Sequence, residues 1–274
     1  MQQPADQCAP QRARGKGRLV TKLFGGRTRL AEFYQEGCAK IRLPNTFSPD
    51  MEAILINTSG GLTGGDVIEW SVAATASTRL TVTTQANEKI YRAADDTASV
   101  TTHISVGSGA AVHWLPQETI LFDQSSLRRR LDVELHDTSS EFIAVEAVLL
   151  GRKAMGECLH RGFFLDTWRV RRGNDLVHAE DMRLQDDVSA LSSQPSTLGG
   201  HVAFATVLYV GPLAEALLPK LRECLGESLA GASQWKGKLV VRLLAPSGYE
   251  LRKLLVPAIT VLRNGAPVPK VWNI

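Results

Sequence analysis

Two residues with catalytic side chains stand two positions apart in the chain, Cys158 and His160. Residues i and i+2 of a β-strand share a face, so this thiol and imidazole could touch and form a nucleophile with its base. Alternation in a β-rich chain produces such pairs by chance, and neither a Gly-x-Ser-x-Gly elbow nor a matching acid signature accompanies this one. We therefore prefer to interpret the pair as ordinary strand residues.

Histidine and cysteine are the usual ligands of zinc, and the chain contains six of the first and four of the second. They are dispersed, without a His-x-x-x-His or Cys-x-x-Cys pair. The residues are His103, His113, His136, His160, His178, His201, Cys8, Cys38, Cys158 and Cys224. This spacing argues against a tight, permanent metal site, and the scattered cysteines predict reduced thiols in a cytosolic protein.

A glycine-rich segment, 57–66, ends in the carboxylate of Asp66. Its two glycine pairs predict a tight double turn, because glycine adopts a positive φ without steric penalty. Such turns can bind phosphate, but a P-loop continues with Gly-Lys-Ser/Thr and a dinucleotide fingerprint opens a helix, and this segment does neither. We interpret it as a structural turn that presents Asp66.

Glu146 lies within the apolar run 142–150, where burying a carboxylate is costly without a partner or water. Phe142 and Ala144 share its strand parity and do not force it inward. Two interpretations therefore stay open. Glu146 either faces solvent or lines an internal, water-filled passage.

The elements that must position these residues are short apolar segments with a period of two, such as Leu80 and Val82 or the segment 100–106. Turn residues at 107–109 and 172–175 predict hairpins. Strands that recur about every ten residues predict a mainly β protein of stacked antiparallel sheets, either a sandwich or a β-solenoid-like body.

Two helices are predicted in the C-terminal part. Leucines recur at every fourth position across 213–225, and a capping box formed by Ser247 and Glu250 precedes a second apolar face. Pro219 and Pro257 lie inside these segments and predict a kink in each helix.

The composition predicts an ordered globular protein, since 44% of the 274 residues are hydrophobic and 22% are charged. The formal net charge of +3 is too small to argue for a nucleic-acid partner, and the one dense basic run, 128–130, is interpreted as a solvated loop or strand edge. The sequence shows no secretory signal and no apolar run of membrane-spanning length. We predict a flexible tail over 1–17 and a single domain over 18–274.

Several segments, taken together and in order, are similar to a known family. They are 57–66, 83–92, 114–122, 150–157, 242–245 and 269–272. In these segments the chain resembles the urease accessory protein D family, also called H, from about residue 18 to its end. The resemblance implies a long β-rich body of stacked sheets with two helices.

The resemblance also implies a non-enzymatic scaffold that binds apo-urease and recruits the F accessory protein, which docks the nickel-carrying GTPase G. The scattered cysteines, the small net charge and the lack of a long apolar run predict a cytoplasmic protein with no nucleic-acid or membrane partner. No permanently bound cofactor is expected. Ni²⁺ would pass transiently through an interior tunnel. Asp66 and Glu180 match the family's interior acids, and Glu146 and Glu157 are further candidates for this nickel passage.

Glu88 departs from the family's usual pattern, which has a small or hydroxyl residue at that position. It would either add a carboxylate to the passage or pair near Lys89. The alternative function is a metal-dependent hydrolase, which requires Asp66, His160 and Glu157 to surround one ion. A β-rich binding module of unknown partner is a third interpretation.

Overall fold

The computed structural model describes residues 11–152 and 156–273, which form seventeen strands, three α-helices and a short 3₁₀ helix at Lys270–Asn273. The strands are β1 Arg14–Phe24, β2 Arg27–Gly37, β3 Ala39–Arg42, β4 Met51–Asn57, β5 Val67–Ala74, β6 Arg79–Thr84, β7 Glu88–Ile90, β8 Ala98–Val106, β9 Ala111–Leu115, β10 Thr119–Leu121, β11 Ser126–Leu135, β12 Glu141–Leu150, β13 Arg161–Arg172, β14 Asp175–Asp187, β15 Ala203–Val210, β16 Ala230–Trp235 and β17 Lys238–Ala245. The helices are α1 Val188–Ser193, α2 Ala214–Leu225 and α3 Gly248–Leu262.

The described strands form two sheets stacked face to face. The seven-stranded sheet has the order β14-β13-β11-β8-β5-β1-β2. The ten-stranded sheet has the order β16-β17-β15-β12-β9-β6-β4-β3, and β10 pairs with β12 and β7 beside this path. One apolar core lies between the sheets, and a second lies between the outer face of the ten-stranded sheet and the helices α2 and α3.

The mainly β class with stacked sheets and two C-terminal helices is confirmed, but the strand direction differs from the prediction in the interior of each sheet. The pairs β1–β5, β5–β8, β8–β11 and β11–β13 are parallel, as are β4–β6, β6–β9 and β9–β12. Antiparallel pairs lie toward the sheet margins. The reason is that the chain passes from one sheet to the other after most strands, as in the β-solenoid-like alternative.

The two predicted hairpins illustrate this difference. The turn at 172–175 joins β13 to β14 as an antiparallel pair, which confirms the prediction. The hairpin predicted at 107–109 is wrong, because β8 and β9 belong to different sheets. Gly109, at φ 61°, instead turns the chain across the gap between the sheets.

Both predicted C-terminal helices are present, and each contains its proline, Pro219 or Pro257. The Ser247 side chain accepts a hydrogen bond from the Glu250 backbone N–H at 3.2 Å. This is one of the two hydrogen bonds of a capping box. The helix α1 was not predicted. Asp187 caps it by accepting from Ala190 N at 2.8 Å. None of the helices in the described ranges is long and apolar enough to cross a membrane.

The N-terminal boundary lies earlier than the sequence predicted. β1 begins at Arg14, so residues 14–17 belong to the sheet instead of the tail, while residues 1–10 lie outside the described ranges. Gly17 allows this close packing, because a Cβ at that position would stand 2.3 Å from the Trp70 ring.

Candidate functional site

A row of polar side chains runs through the otherwise apolar space between the two sheets. We call it the interior row, and it consists of Glu88, Glu146, Arg129, Asp166, His178 and Glu180. The indole of Trp168 connects its two halves, donating to Asp166 Oδ2 at 3.1 Å while its ring lies 6.3 Å from that of His178. The row therefore crosses the interior from β7 to the edge strand β14.

Arg129 is the cation at the centre of the interior row. Its Nε and Nη2 donate to the two carboxylate oxygens of Asp166 at 3.1 and 2.9 Å, and its Nη1 donates to Thr119 Oγ1 at 2.8 Å. Nη1 also lies 2.7 Å from Glu146 Oε2. One guanidinium thus contacts carboxylates from both sheets.

The prediction that the basic run 128–130 is solvated is wrong for its middle residue. The side chain of Arg129 is 11% exposed, whereas that of Arg130 is 54% exposed. The strand β11 lies inside its sheet, between β8 and β13, so its alternation directs every second residue into the space between the sheets.

Glu146 lies on the interior side of its strand, so the solvent-facing interpretation is wrong. The residue is buried, and its Oε1 accepts a long hydrogen bond of 3.4 Å from Trp114 Nε1. Its Oε2 stands close to Arg129 but accepts no hydrogen bond of good geometry. The carboxylate is therefore buried with less hydrogen bonding than its two oxygens can accept.

A cavity of about 60 Å³ adjoins Glu146, and its lining includes Glu88, Trp114 and Arg129. This inner cavity is large enough for a few water molecules or a hydrated ion. A second, outer cavity of about 260 Å³ shares Glu88 with the inner one and is also lined by the exposed Lys89. Glu88 therefore lies in the lining of both cavities.

The contacts of Glu88 bear on the two sequence interpretations of this residue. Its Oε1 accepts from Asn57 Nδ2 at 3.1 Å, and the residue lines both cavities. Glu88 thus adds a carboxylate to the interior row.

The charges in the row do not balance when every group is ionised. Burial raises the pKa of Glu88 to about 7 and also raises the pKa of Glu146, although the nearby Arg129 opposes both shifts. Burial alone would lower the pKa of the Arg129 guanidinium, but Asp166 and Glu146 raise it. Glu180 pairs with Arg242, which lies outside the row. The other three carboxylates, Glu88, Glu146 and Asp166, share Arg129 as their cation, which leaves two negative charges for protons or a divalent cation to neutralise.

We expect the substitution Glu88→Gln to stabilise the protein at pH 8 and to change its stability little at pH 5. The folded state keeps a proton that the unfolded state releases above pH 4.5, so stability is lost as pH rises from 4.5 through about 7. The rise in the Glu88 pKa from 4.5 to about 7 corresponds to about 3 kcal/mol in the free energy of unfolding. Urea unfolding of both proteins at pH 5 and at pH 8 measures the difference.

The control for this measurement is Glu69→Gln, which removes an exposed carboxylate from the outer face of the seven-stranded sheet. Its effect should stay below about 0.5 kcal/mol at either pH. A Glu88→Gln variant whose gain is the same at pH 5 and pH 8 would show that ionisation of Glu88 does not cost stability.

The far end of the interior row lies between the strands β14 and β17. Glu180 Oε2 pairs with Arg242 Nη2 at 2.7 Å and lies 3.6 Å from His178 Nε2. Burial opposes ionisation of Glu180, but the contacts with His178 and Arg242 outweigh it and lower its pKa to about 2. Glu180 is therefore a permanent carboxylate that joins the two sheets at this edge.

Asp66 and Glu157 do not line the inner cavity. The Asp66 oxygens accept from the backbone N–H groups of Ala13 at 2.7 Å and Thr63 at 2.8 Å, so this carboxylate fastens the N-terminal segment to the glycine turn. Glu157 pairs with Arg152 through Oε2 and accepts from Asp123 N at 3.4 Å. Of the four predicted nickel residues, the structure brings only Glu146 and Glu180 into one row.

The ligand set that the hydrolase alternative requires is not formed. Within residues 11–152 and 156–273, no three His, Cys, Asp or Glu side chains gather in a way that could hold a metal ion. Asp66, His160 and Glu157 therefore do not surround one position. The strand assumed for the Cys158–His160 pair is also absent, because β13 begins at Arg161.

Sequence reasoning missed Arg129, Asp166 and His178 as functional candidates. A usable signal existed for Asp166, which shares strand parity with the buried Phe164 and Trp168. No comparable signal marked His178, which lies on an edge strand whose other residues are mostly exposed or half-buried.

The fold and the interior row define a mainly β protein with a charged interior between its sheets and helices on one outer face. The model of the family described as UreD urease accessory protein matches residues 13–273. A urease accessory protein UreD from Agrobacterium fabrum is 64% identical over 273 residues, covering 100% of this chain and 94% of the relative.

A UreD from Rhizobium leguminosarum bv. viciae is also 64% identical, over 97% of both chains, and one from a Chelativorans strain is 52% identical over 100% of this chain and 98% of the relative. The chain belongs to the UreD family of urease accessory proteins, which functions in urease maturation.

Proposed function

We propose that this chain is a non-catalytic, cytoplasmic scaffold that binds apo-urease and passes nickel through its interior toward the urease active site. It recruits the F accessory protein and, through it, the GTPase G. Membership of the UreD family supports the role in maturation. The observation that carries the nickel passage is the inner cavity, where Glu88 and Glu146 share with Asp166 the single positive charge of Arg129.

The chemistry of the interior row suits a passing divalent cation. Ni²⁺ accepts oxygen and nitrogen ligands, but a conduit must release the ion as readily as it binds it. Protons on Glu88 and Glu146 can be exchanged for the ion, so that the net charge of the interior changes little. A thiolate cage would hold nickel too firmly for transfer.

Arg129 has a positioning role in this proposal. Its bidentate contact satisfies Asp166 and leaves Glu146 with an oxygen that lacks a well-aligned donor. The guanidinium also keeps a fixed positive charge beside the cavity, which weakens the binding of any cation there. Weak binding is what passage requires.

The test is the nickel content and urea hydrolysis of a urease co-expressed with its other accessory proteins. Without this chain, urease should assemble but stay poor in nickel and inactive. With the double variant Glu88→Gln/Glu146→Gln, complex formation should persist while nickel loading falls several-fold, since both exchangeable carboxylates are lost. The matched control is Glu69→Gln on the outer face, which should load urease normally.

Two results would contradict the proposal. Full loading of urease in the absence of the chain would reject the maturation role. Normal loading by a double variant that folds and binds its partners would reject the interior passage while leaving the scaffold role intact.

A further inference from the structure

The glycine turn lies against the strand β7, which begins at Glu88. Leu62 N donates to Lys89 O at 2.8 Å, and Tyr91 N donates to Leu62 O at 2.7 Å. The Tyr91 hydroxyl also donates to Gly60 O at 3.2 Å. These hydrogen bonds hold the turn beside the residues that directly follow Glu88, so the turn is placed to act on that carboxylate.

Asn57 begins the glycine turn, and its contacts determine the orientation of its side-chain amide. Its Oδ1 accepts from the Ser59 backbone N–H at 3.0 Å and also from the Ser59 hydroxyl. A backbone N–H can only donate, so the atom that faces it must be the amide oxygen. The amide nitrogen consequently faces the other way, and it donates to Gly61 O at 3.2 Å and to Glu88 Oε1 at 3.1 Å.

The contact between Asn57 and Glu88 distinguishes the two protonation states of the carboxyl group. An amide N–H bonds more strongly to a carboxylate than to a neutral carboxylic acid, so it favours the ionised form. Burial favours the neutral form and raises the pKa of Glu88 to about 7, and the hydrogen bond from Asn57 opposes that rise. Without Asn57, Glu88 would therefore keep its proton to a higher pH.

Charged and titratable groups also face Glu88 from neighbouring elements. Arg129 of β11 favours the ionised form of Glu88 through its charge. Glu146 of β12 lines the same inner cavity, and the Cys38 thiol, between β2 and β3, lies near enough to interact with the charge of Glu88. Asn57 differs from these groups because it is neutral at every pH and because its hydrogen bond also fixes the direction of the carboxylate.

We propose that Asn57 is a positioning residue whose amide N–H orients the Glu88 carboxylate and favours its ionised form, and that the glycine turn serves to hold this amide in place. The inference deepens the proposed function and rests on it for the use of Glu88 as an exchangeable carboxylate. A carboxyl group that loses its proton near neutral pH can exchange it for a passing cation, whereas one that keeps its proton cannot. Asn57 thus acts through Glu88 and does not itself contact the ion.

The experiment follows the titration of Glu88 by NMR in the purified full chain with isotope-labelled glutamate, and Glu88→Gln identifies the signal. The midpoint should lie near pH 7 in the unmodified chain. Asn57→Ala should move it upward by about one pH unit, because the ionised form loses a hydrogen bond. Asn57→Asp should move it further, since the new carboxylate keeps the contact with the Ser59 N–H but repels the charge of Glu88.

The matched control is Asn45→Ala. Asn45 lies in an exposed loop, and its Oδ1 likewise accepts from the backbone N–H two residues further on, that of Phe47, at 3.1 Å. The substitution removes the same kind of local contact at a distance from Glu88, so the Glu88 midpoint should stay unchanged. An equal shift in Asn45→Ala, or an unchanged midpoint in both Asn57 variants, would overturn the positioning role.

A second measurement needs no substitution at Asn57. The side-chain amide resonances of Asn57 should move with pH through the Glu88 midpoint in the unmodified chain, and they should lose that dependence in Glu88→Gln. Amide resonances that do not follow the pH in the unmodified chain would reject the positioning role, whether or not the Asn57 variants fold.

Urease loading separates this inference from the proposed function, and Asn57→Ala should lower nickel loading several-fold. If Asn57→Ala raises the Glu88 midpoint yet urease is loaded normally, the positioning role stands and the nickel passage does not depend on ionised Glu88. If the midpoint is unaffected while the Glu88→Gln/Glu146→Gln variant still fails to load urease, the passage stands and the positioning role is rejected.

Discussion

Replacing Arg129 by methionine is expected to lower the free energy of unfolding by about 3–5 kcal/mol, because it leaves buried carboxylates without their cation. Asp166 would lose two hydrogen bonds at 3.1 and 2.9 Å, and Glu146 would lose the contact at 2.7 Å. Methionine has a similar length and fills most of the space that arginine occupies. The loss of stability would therefore come mainly from the missing positive charge and less from an empty cavity. Urea unfolding of the purified chain at pH 7 measures the difference.

The neighbouring substitution Arg130→Met is the matched control. Arg130 also pairs with a carboxylate, Asp132 at 2.6 Å, but its side chain points to solvent, and exposed pairs contribute about 0–1 kcal/mol. The two variants remove the same charge from adjacent positions of one strand and differ only in burial. Equal losses in both variants would contradict the assignment of Arg129 as the cation on which the interior row depends.

Replacing Arg252 by methionine should have an effect of similar size, about 3–4 kcal/mol, for the same physical reason at a different place. Arg252 of α3 reaches the fully buried Glu118, with Nη2 at 2.7 Å from Oε2, and also donates to Gln117 Oε1 at 2.7 Å and to the backbone oxygen of Trp272 at 2.9 Å. One side chain thus fastens helix, sheet and C-terminal segment together. Thermal and urea unfolding should both show the loss.

Lys253→Met supplies the comparison on the next residue of the same helix. Lys253 pairs with Glu250 at 3.2 Å, and both side chains are exposed, so its removal should cost less than about 0.5 kcal/mol. Should Arg252→Met unfold at the same denaturant concentration as Lys253→Met, the buried Glu118 does not depend on the arginine. In that case another group must satisfy the carboxylate.

The local elements were readable because they depend on residues close together in the chain. The capping pair Ser247 and Glu250 predicted where α3 begins. The leucines that recur at every fourth position across 213–225 predicted α2. The double turn around Asp66 also forms, with positive φ at Gly60, Gly61 and Gly65. In each case the determining interaction spans only a few residues, so no knowledge of the tertiary fold was needed.

Whether neighbouring strands pair parallel or antiparallel could not be predicted from the sequence in the same way. A period of two shows that a segment is a strand with two faces, but it does not show which segment lies beside it. The expectation of antiparallel pairing assumed that successive strands are neighbours. The chain instead alternates between the sheets, so β8 neighbours β5 and β11 instead of β9.

The sequence by itself determined the β class, the two C-terminal helices, the glycine turn and, through motif resemblance, the family. Only the tertiary structure decided which acids belong to the interior row. Asp66 carried the strongest motif, yet it binds backbone N–H groups. The centre is formed by Arg129, which the sequence analysis interpreted as solvated, and by Asp166, which it did not single out. Motifs record local chemistry, but burial of a charge depends on which strands cover it, and that is settled by contacts between residues far apart in the chain.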